Sequence, residues 1–195
     1  MPPARSPITF PSEYVRMKPM FLGICLTTLF LAAPSSHAQA APPDARPEQA
    51  AARGEIEKVI EQFRTSIVDK DKARFLGLFL KDSPVVWQDV VGDANLHERR
   101  KSKPDAKKLR VDPADGPVSF IEGIVSEPGR SEETFDNIRI ETDGDIASVF
   151  FDYRFLSDGR ETNHGKEAWH LVRSDDGWKI VSVIWSMNWQ TKTPG

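Results

Sequence analysis

Three hydrophobic runs, 145–156, 165–173 and 178–189, are joined through Ser157-Asp158-Gly159 and Ser174-Asp175-Asp176-Gly177. Gaps this short, built of Gly and Asp, supply the positive φ that tight hairpin turns need. The C-terminal part of the chain therefore reads as an antiparallel β-meander. A fourth strand precedes it: 132–141 alternates around Phe135, Ile138 and Ile140, and Thr142-Asp143-Gly144 turns the chain back.

Upstream the periodicity changes. Ile56, Val59, Ile60, Phe63 and Ile67 recur at helical spacing between Glu55, Glu57, Lys58, Glu61 and Arg64, the pattern of a helix that buries one stripe. Asp71 is placed to cap a second helix through Phe75, Leu76, Leu78, Phe79 and Leu80, and Pro84 ends it. Residues 85–90 are β-rich and predict the first strand. Residues 92–115 are polar and read as an irregular loop carrying Arg99, Arg100, Lys101, Lys103, Lys107, Lys108 and Arg110. Asp115-Gly116-Pro117 then offers a helix start with Pro in the first turn. Helices before strands indicate α+β, with helices on one face of a curved, mainly antiparallel sheet.

The N-terminal forty residues carry a different signal. Lys18 precedes an apolar run, 20–33, which is followed by Ala38-Gln39-Ala40. A basic start, a short apolar stretch and an A-x-A exit make a secretory signal peptide over 17–40. The run falls short of the roughly 20 apolar residues of a membrane span, although an uncleaved anchor stays open. Ile24 before Cys25 is bulky for a lipid-attachment box. Residues 1–16, with four prolines and Glu13, read as an extension ahead of a start at Met17, 41–47 as a linker, and 48–190 as one domain.

Cleavage after Ala40 would remove Cys25, the one cysteine, so disulfides and thiolate metal sites are not expected. It would also remove Arg5, Arg16, Lys18 and Glu13 from totals of 26 basic and 29 acidic residues, leaving a net charge of −5. That balance argues against nucleic acid or an anionic membrane as partner. No stable membrane insertion is expected after cleavage.

Side chains alternate across a strand, so hairpin register decides which residues face inward. With Asp158-Gly159 as a two-residue turn and 174–177 as the next loop, Val149, Phe151, Tyr153 and Phe155 share a face with Ala168, His170, Val172, Val181, Val183, Trp185 and Met187. The opposite face collects Phe150, Asp152, Arg154, Glu167, Trp169, Leu171, Ile180, Ser182, Ile184, Ser186 and Asn188. The first set is nearly all apolar and is expected to meet the helices. The second is mixed and suits water or a second copy of the chain, in a homodimer through the outer sheet face.

The order of elements, with the ending Asp176-Gly177-Trp178-Lys179-Ile180-Val181 and Trp185-Ser186, resembles the SnoaL-like, nuclear-transport-factor-2-like superfamily, which includes ketosteroid-isomerase-like enzymes. The resemblance covers 48–189 and implies a cone: a curved sheet wraps a long helix and leaves a pocket at the wide end. The superfamily holds isomerases, dehydratases, polyketide cyclases, carriers and oligomerisation domains, so it does not fix a function. Isomerases of this kind use a Tyr on the first helix to hold an enolate oxygen. Phe63 is what that helix offers here, and Tyr153 is the sole Tyr beyond the leader.

A pocket in such a cone is expected to be lined by Phe63, Trp87, Phe120, Phe151, Tyr153, His170, Val183 and Trp185. Tyr153 and His170, the polar members of the inward face, could act as donors or as an acid–base pair; as core residues they would need one hydrogen-bond partner each. Asp89 shares a strand face with Trp87 and is the general-base candidate with His170; an acid there could equally cap a turn. Asp152, Arg154 and Glu167 read as an exposed ion-pair patch. His97, His164 and His170 show no H-x-H or H-x-x-x-H spacing, so no metal is expected. The basic run lacks interleaved aromatics and reads as a solvated insertion near the pocket mouth, where it could act as a lid or attract anionic ligands. The leading expectation is an exported domain binding a small apolar or aromatic ligand. The alternatives are a cofactor-independent isomerase, dehydratase or cyclase, and a dimeric assembly module.

Overall fold

The computed structural model describes residues 47–189; the expectations for the leader and most of the linker lie outside them. The elements run α1 (Pro47–Asp69), α2 (Lys72–Gly77), β1 (Val86–Val91), α3 (Asp93–Ser102), α4 (Pro117–Ser126), β2 (Ser131–Thr142), β3 (Ile146–Ser157), β4 (Arg160–Ser174) and β5 (Gly177–Met187). The five strands form one sheet in the order β1-β5-β4-β3-β2. β1 runs parallel to β5, and every other pair is antiparallel. The architecture is α+β, with helices on the concave face of a curved, unclosed sheet. No described helix is long and apolar enough to cross a membrane.

α1 buries Ala52, Ile56, Val59, Ile60, Phe63 and Ile67 along the stripe its spacing predicts. It closes at Lys70, whose φ of 55° is left-handed, and the Asp71 N–H reaches back to the Ser66 carbonyl at 2.9 Å. Asp71 then caps α2, its carboxylate accepting the Arg74 N–H at 3.0 Å. α2 stops at Gly77, earlier than the sequence suggests, because the chain leaves the helix to bridge Phe79 to Ile180 of β5. An aromatic cluster fills the closed end. Phe63 meets Phe75 at 4.8 Å and Trp169 at 4.7 Å between ring centroids, and Phe135 meets Phe151 at 4.5 Å. Such tilted pairs add to the burial of large rings.

Two departures from the sequence reading matter for the site. The first is α3, in a stretch read as irregular. Its surface is polar almost all round, so it shows no apolar period. It is held by Leu96, which packs with Val91, Ala106 and Trp189, and by buried Asn95. The Asn95 amide donates to the Trp189 carbonyl at 2.8 Å and its oxygen accepts the Trp189 N–H at 3.1 Å, as a neighbouring strand would.

The second departure is the facing of β4. The Asp158-Gly159 turn is as read, with φ of 49° and 76°. A bulge follows at once: Phe155 pairs with Asn163 and Leu156 with Glu161, so Thr162 is unmatched. One extra residue moves every later side chain to the other face. Glu167, Trp169 and Leu171 therefore point inward, and Ala168, His170 and Val172 outward. A second bulge leaves Val181 unmatched between His170↔Ser182 and Leu171↔Ile180. Ile180 is consequently buried, while Val183, Trp185 and Met187 keep the inward position read for them because the two shifts cancel. A third bulge, at Asn137 with φ 55°, turns Ile138 outward. Bulges bend and twist the strands that carry them, which suits a sheet curling around a helix.

Candidate functional site

A cavity of about 410 Å³ opens between the concave face, α4 and the segment after α3. Aromatic side chains make its walls. Trp87 of β1 meets Trp185 of β5 edge-on at 5.2 Å and Phe120 of α4 at 5.3 Å, and Phe120 faces Phe155 of β3 at 6.1 Å. The parallel pairing of β1 with β5 sets Trp87 against Val183 and Asp89 against Trp185, which brings Asp89 to the same wall. Phe63 on α1 also borders the cavity.

Of the eight residues expected to line a pocket, Phe63, Trp87, Phe120, Tyr153, Val183 and Trp185 border this one. Phe151 and His170 do not. Phe151 lies beneath, 1% exposed, wedged between Phe135 and Trp169. His170 is exposed on the convex face opposite Ser148 and Ser182, carried there by the Thr162 bulge, so it cannot serve as the partner of Asp89. The proposed patch of Asp152, Arg154 and Glu167 also comes apart. Asp152 pairs with Lys166 and Arg154 with Asp136 on the outside, while Glu167 lies within.

The interior holds a group of acids that the sequence reading did not find. Glu133 of β2 and Glu167 of β4 each border the cavity and are each 4% exposed. They hydrogen-bond to one another, and no basic side chain pairs with either among the described residues. Two carboxylates cannot both stay ionised in that position, so at least one proton is retained between them. Burial pushes Glu133 well above the ordinary glutamate range, and the Glu167 charge and hydrogen bond push it the same way. Burial also raises Glu167, to about 7, against donation from the Trp169 indole, whose Nε1 lies 2.5 Å from Glu167 Oε1. The pair thus shares the retained proton, with Glu133 the more strongly raised, and Glu167 accepts the Trp169 N–H.

Tyr153 stands beside this pair. Its hydroxyl lies 2.9 Å from Asn163 Oδ1 and 3.1 Å from the Ser186 carbonyl, and can donate to one of them at a time. Burial, with the nearby charges of Glu133, Glu167 and Asp89, raises its pKa, so the phenol stays protonated. Gly165 lies opposite Tyr153 on β4. A Cβ there would sit 1.9 Å from the Ser186 carbonyl oxygen, so only glycine permits the close approach of β5 that gives Tyr153 this acceptor.

At the cavity's rim Asp89 is 3% exposed, and its Oδ2 lies 3.4 Å from the Arg110 guanidinium. Arg110 is held by the strand-like course of its segment: the Val91 N–H bonds the Lys108 carbonyl at 3.0 Å and the Gln88 amide bonds the Arg110 carbonyl at 2.8 Å. One end of the basic run thus joins the site as the counter-ion of Asp89. Among the described residues no group of three or more His, Cys, Asp or Glu side chains is arranged to hold a metal ion.

The fold has many relatives among solved structures. A nuclear-transport-factor-2-like protein with a cystatin-like fold from Novosphingobium aromaticivorans superposes with a TM-score of 0.53 at 14% identity, over 76% of this chain and 89% of that one. The chain has the nuclear-transport-factor-2-like cone fold. A nuclear transport factor 2 superfamily protein from Salmonella enterica serovar Typhimurium LT2 gives 0.50 at 19% identity, over 73% and 94%. A hexachlorocyclohexane dehydrochlorinase, LinA-type3, from Novosphingobium barchaimii LL02 gives 0.50 at 15% identity, over 76% and 94%. Compared by sequence, the chain matches no family model and no curated protein.

Proposed function

We propose that this cone-fold protein is a cofactor-independent acid–base catalyst acting on a small, largely apolar molecule. One observation carries the reading: an ion-paired carboxylate, Asp89, and a proton-holding carboxyl pair, Glu133–Glu167, border the same aromatic cavity. Burying two acids without a basic partner is costly to a fold, and such cost is characteristic of sites that use the perturbed group. Carboxyls held in different protonation states supply a base and an acid together. Asp89 would take a proton from carbon. Glu133 would deliver one to a departing group as the C–X bond breaks and a C=C bond forms, giving elimination. Alternatively it would hydrogen-bond a developing oxyanion while Asp89 returns its proton to a second carbon, giving isomerisation. Water and solutes would return the two residues to their starting forms. A hexachlorocyclohexane dehydrochlorinase among the structural relatives supports the reading.

Native mass spectrometry of protein taken from its own host would identify a retained small molecule. Incubating that molecule with fresh protein in D2O then tests the chemistry. Proton abstraction replaces C–H by C–D and raises the mass, and Asp89→Asn is expected to slow the exchange roughly a hundredfold or more. A molecule that stays bound yet gains no deuterium would support the second reading, a binding domain without chemistry, which the predominantly apolar walls favour. Export after cleavage at Ala40 and pairing of two copies through the outer sheet face belong to the same proposal. The mass of the mature chain tests the first, and sedimentation equilibrium of wild type against Ile184→Lys tests the second.

A further inference from the structure

We infer that the molecule taken by this cavity is a compact organic cation, an alkylated ammonium or a protonated amine on an apolar body; the inference rests on the cavity being the ligand site, as proposed above. Three features lead there. First, the lining contains the acids Asp89, Asp112, Asp115, Glu133 and Glu167 but a single basic residue, Arg110, already spent on Asp89. An anion would meet the Glu133–Glu167 pair at depth with no basic side chain beside it among the described residues. Second, Glu133 is buried, borders the cavity, and has Glu167 as its only hydrogen-bond partner among the described residues. An acid pair with no positive charge beside it is favourably matched by a cation held nearby, in the cavity it borders. Third, the walls are aromatic. Trp87 and Trp185 meet edge-on, so one indole keeps both its faces free of the other, and Phe120 and Phe155 line the same space.

Aromatic faces attract a cation through the ring quadrupole, and they do so best for ammonium groups whose alkyl substituents weaken hydration. A small metal cation would have to shed a tightly held water shell against apolar walls. An alkylated ammonium gives up far less, and its hydrocarbon part gains from the same surface. Charge, buried acid and aromatic enclosure each select the same chemistry.

The test compares probes of one shape and different charge, followed through the fluorescence of the cavity tryptophans. Phenyltrimethylammonium is expected to bind roughly tenfold or more tightly than its uncharged isostere tert-butylbenzene, and benzenesulfonate not at all. Glu167→Gln should reduce the preference for the cation and leave the isostere unchanged. The wild-type comparison needs no variant, so misfolding of Glu167→Gln would not obscure it. Equal or tighter binding of tert-butylbenzene would overturn the cationic ligand while keeping the cavity as a ligand site. Binding of benzenesulfonate in preference to the cation would overturn it as well. If none of the three probes bound, the inference and the ligand-site reading would fall together.

Discussion

The two faces of the β-sheet treat charge in opposite ways. On the convex side Asp152 meets Lys166 and Asn137, Arg154 meets Asp136 at 2.9 Å, and Arg139 lies over the Phe150 ring at 5.0 Å. These partners are exposed, compete with water and add little to stability. On the concave side, among the described residues, Glu133 and Glu167 have only each other and the Trp169 indole. Outside, charge is abundant, matched and cheap. Inside, the Glu133–Glu167 pair is buried, unmatched and expensive, which is why it points to function and the convex ion pairs do not.

The largest effect expected from that contrast separates two neighbours in sequence. Trp169 is fully buried against Phe63 and Phe151, whereas His170 is exposed. Trp169→Ala should cost roughly 3–5 kcal/mol of unfolding free energy, and His170→Ala no more than about 0.5 kcal/mol. Urea denaturation of the two variants measures both. The reverse order would put β4 back on the opposite face and dissolve the site described here.

Next comes the pH dependence of stability. Both buried acids have folded pKa values above their unfolded ones, so the folded state binds protons more tightly. That stability is fully present below the unfolded value of 4.5 and is lost as pH rises through the folded value, about 7 for Glu167. Over this window the pair as a unit should lose stability as pH rises, by on the order of a few kcal/mol. Surface acids whose pKa is lowered, such as Asp143 and Asp152, act below the ordinary carboxylate range and leave the window clear. Urea midpoints taken from pH 5 to 8 should fall for wild type and fall less steeply in Glu167→Gln, where burial still raises Glu133. A midpoint that climbs over this range would mean the interior acids are ionised and matched by something else. A smaller change sharpens the assignment within the pair: Trp169→Phe keeps most of the ring volume but removes the donor to Glu167. It should cost roughly 1–3 kcal/mol and carry the pH-dependent loss to higher pH.

The parts of this arrangement legible in the sequence are those written in periodicity and turn chemistry. The α1 stripe, the Asp71 cap, the start of α4 at Pro117 and the turn at Asp158-Gly159 all follow from local rules, and the fold follows from their order. The acid pair was hidden by register. Thr162 is an ordinary strand residue, and nothing in its neighbourhood announces that it will be left out of the ladder. Counting by twos from the turn therefore sent Glu167 outside and His170 inside. The unusual signal was Trp169 and Leu171 on a face read as mixed, since two large apolar side chains next to Glu167 fit an interior better than a solvated surface. Asp89 was recoverable because it sits two residues from Trp87 on a short strand. Its ion pair with Arg110 was not, because it depends on where the chain returns to the sheet 21 positions later.

The smallest effect belongs to the convex face. Asp152 accepts hydrogen bonds from Lys166 and Asn137, and these hold its carboxyl below the usual aspartate range. In the interior such a shift would signal a strongly dependent group; at the surface water and salt already do much of what the partners do. Asp152→Asn keeps the side-chain shape and one acceptor oxygen, so the Asn137 amide retains a partner and Lys166 turns to solvent. The urea midpoint should move slightly at low salt, and the difference from wild type should vanish as salt is raised. Glu167→Gln is the same chemical change on the other side of the sheet, and its effect should persist in salt because no ions reach the buried pair. If the two substitutions responded alike to salt, the concave acids would be as solvated as the convex ones, and their perturbation would carry no functional meaning.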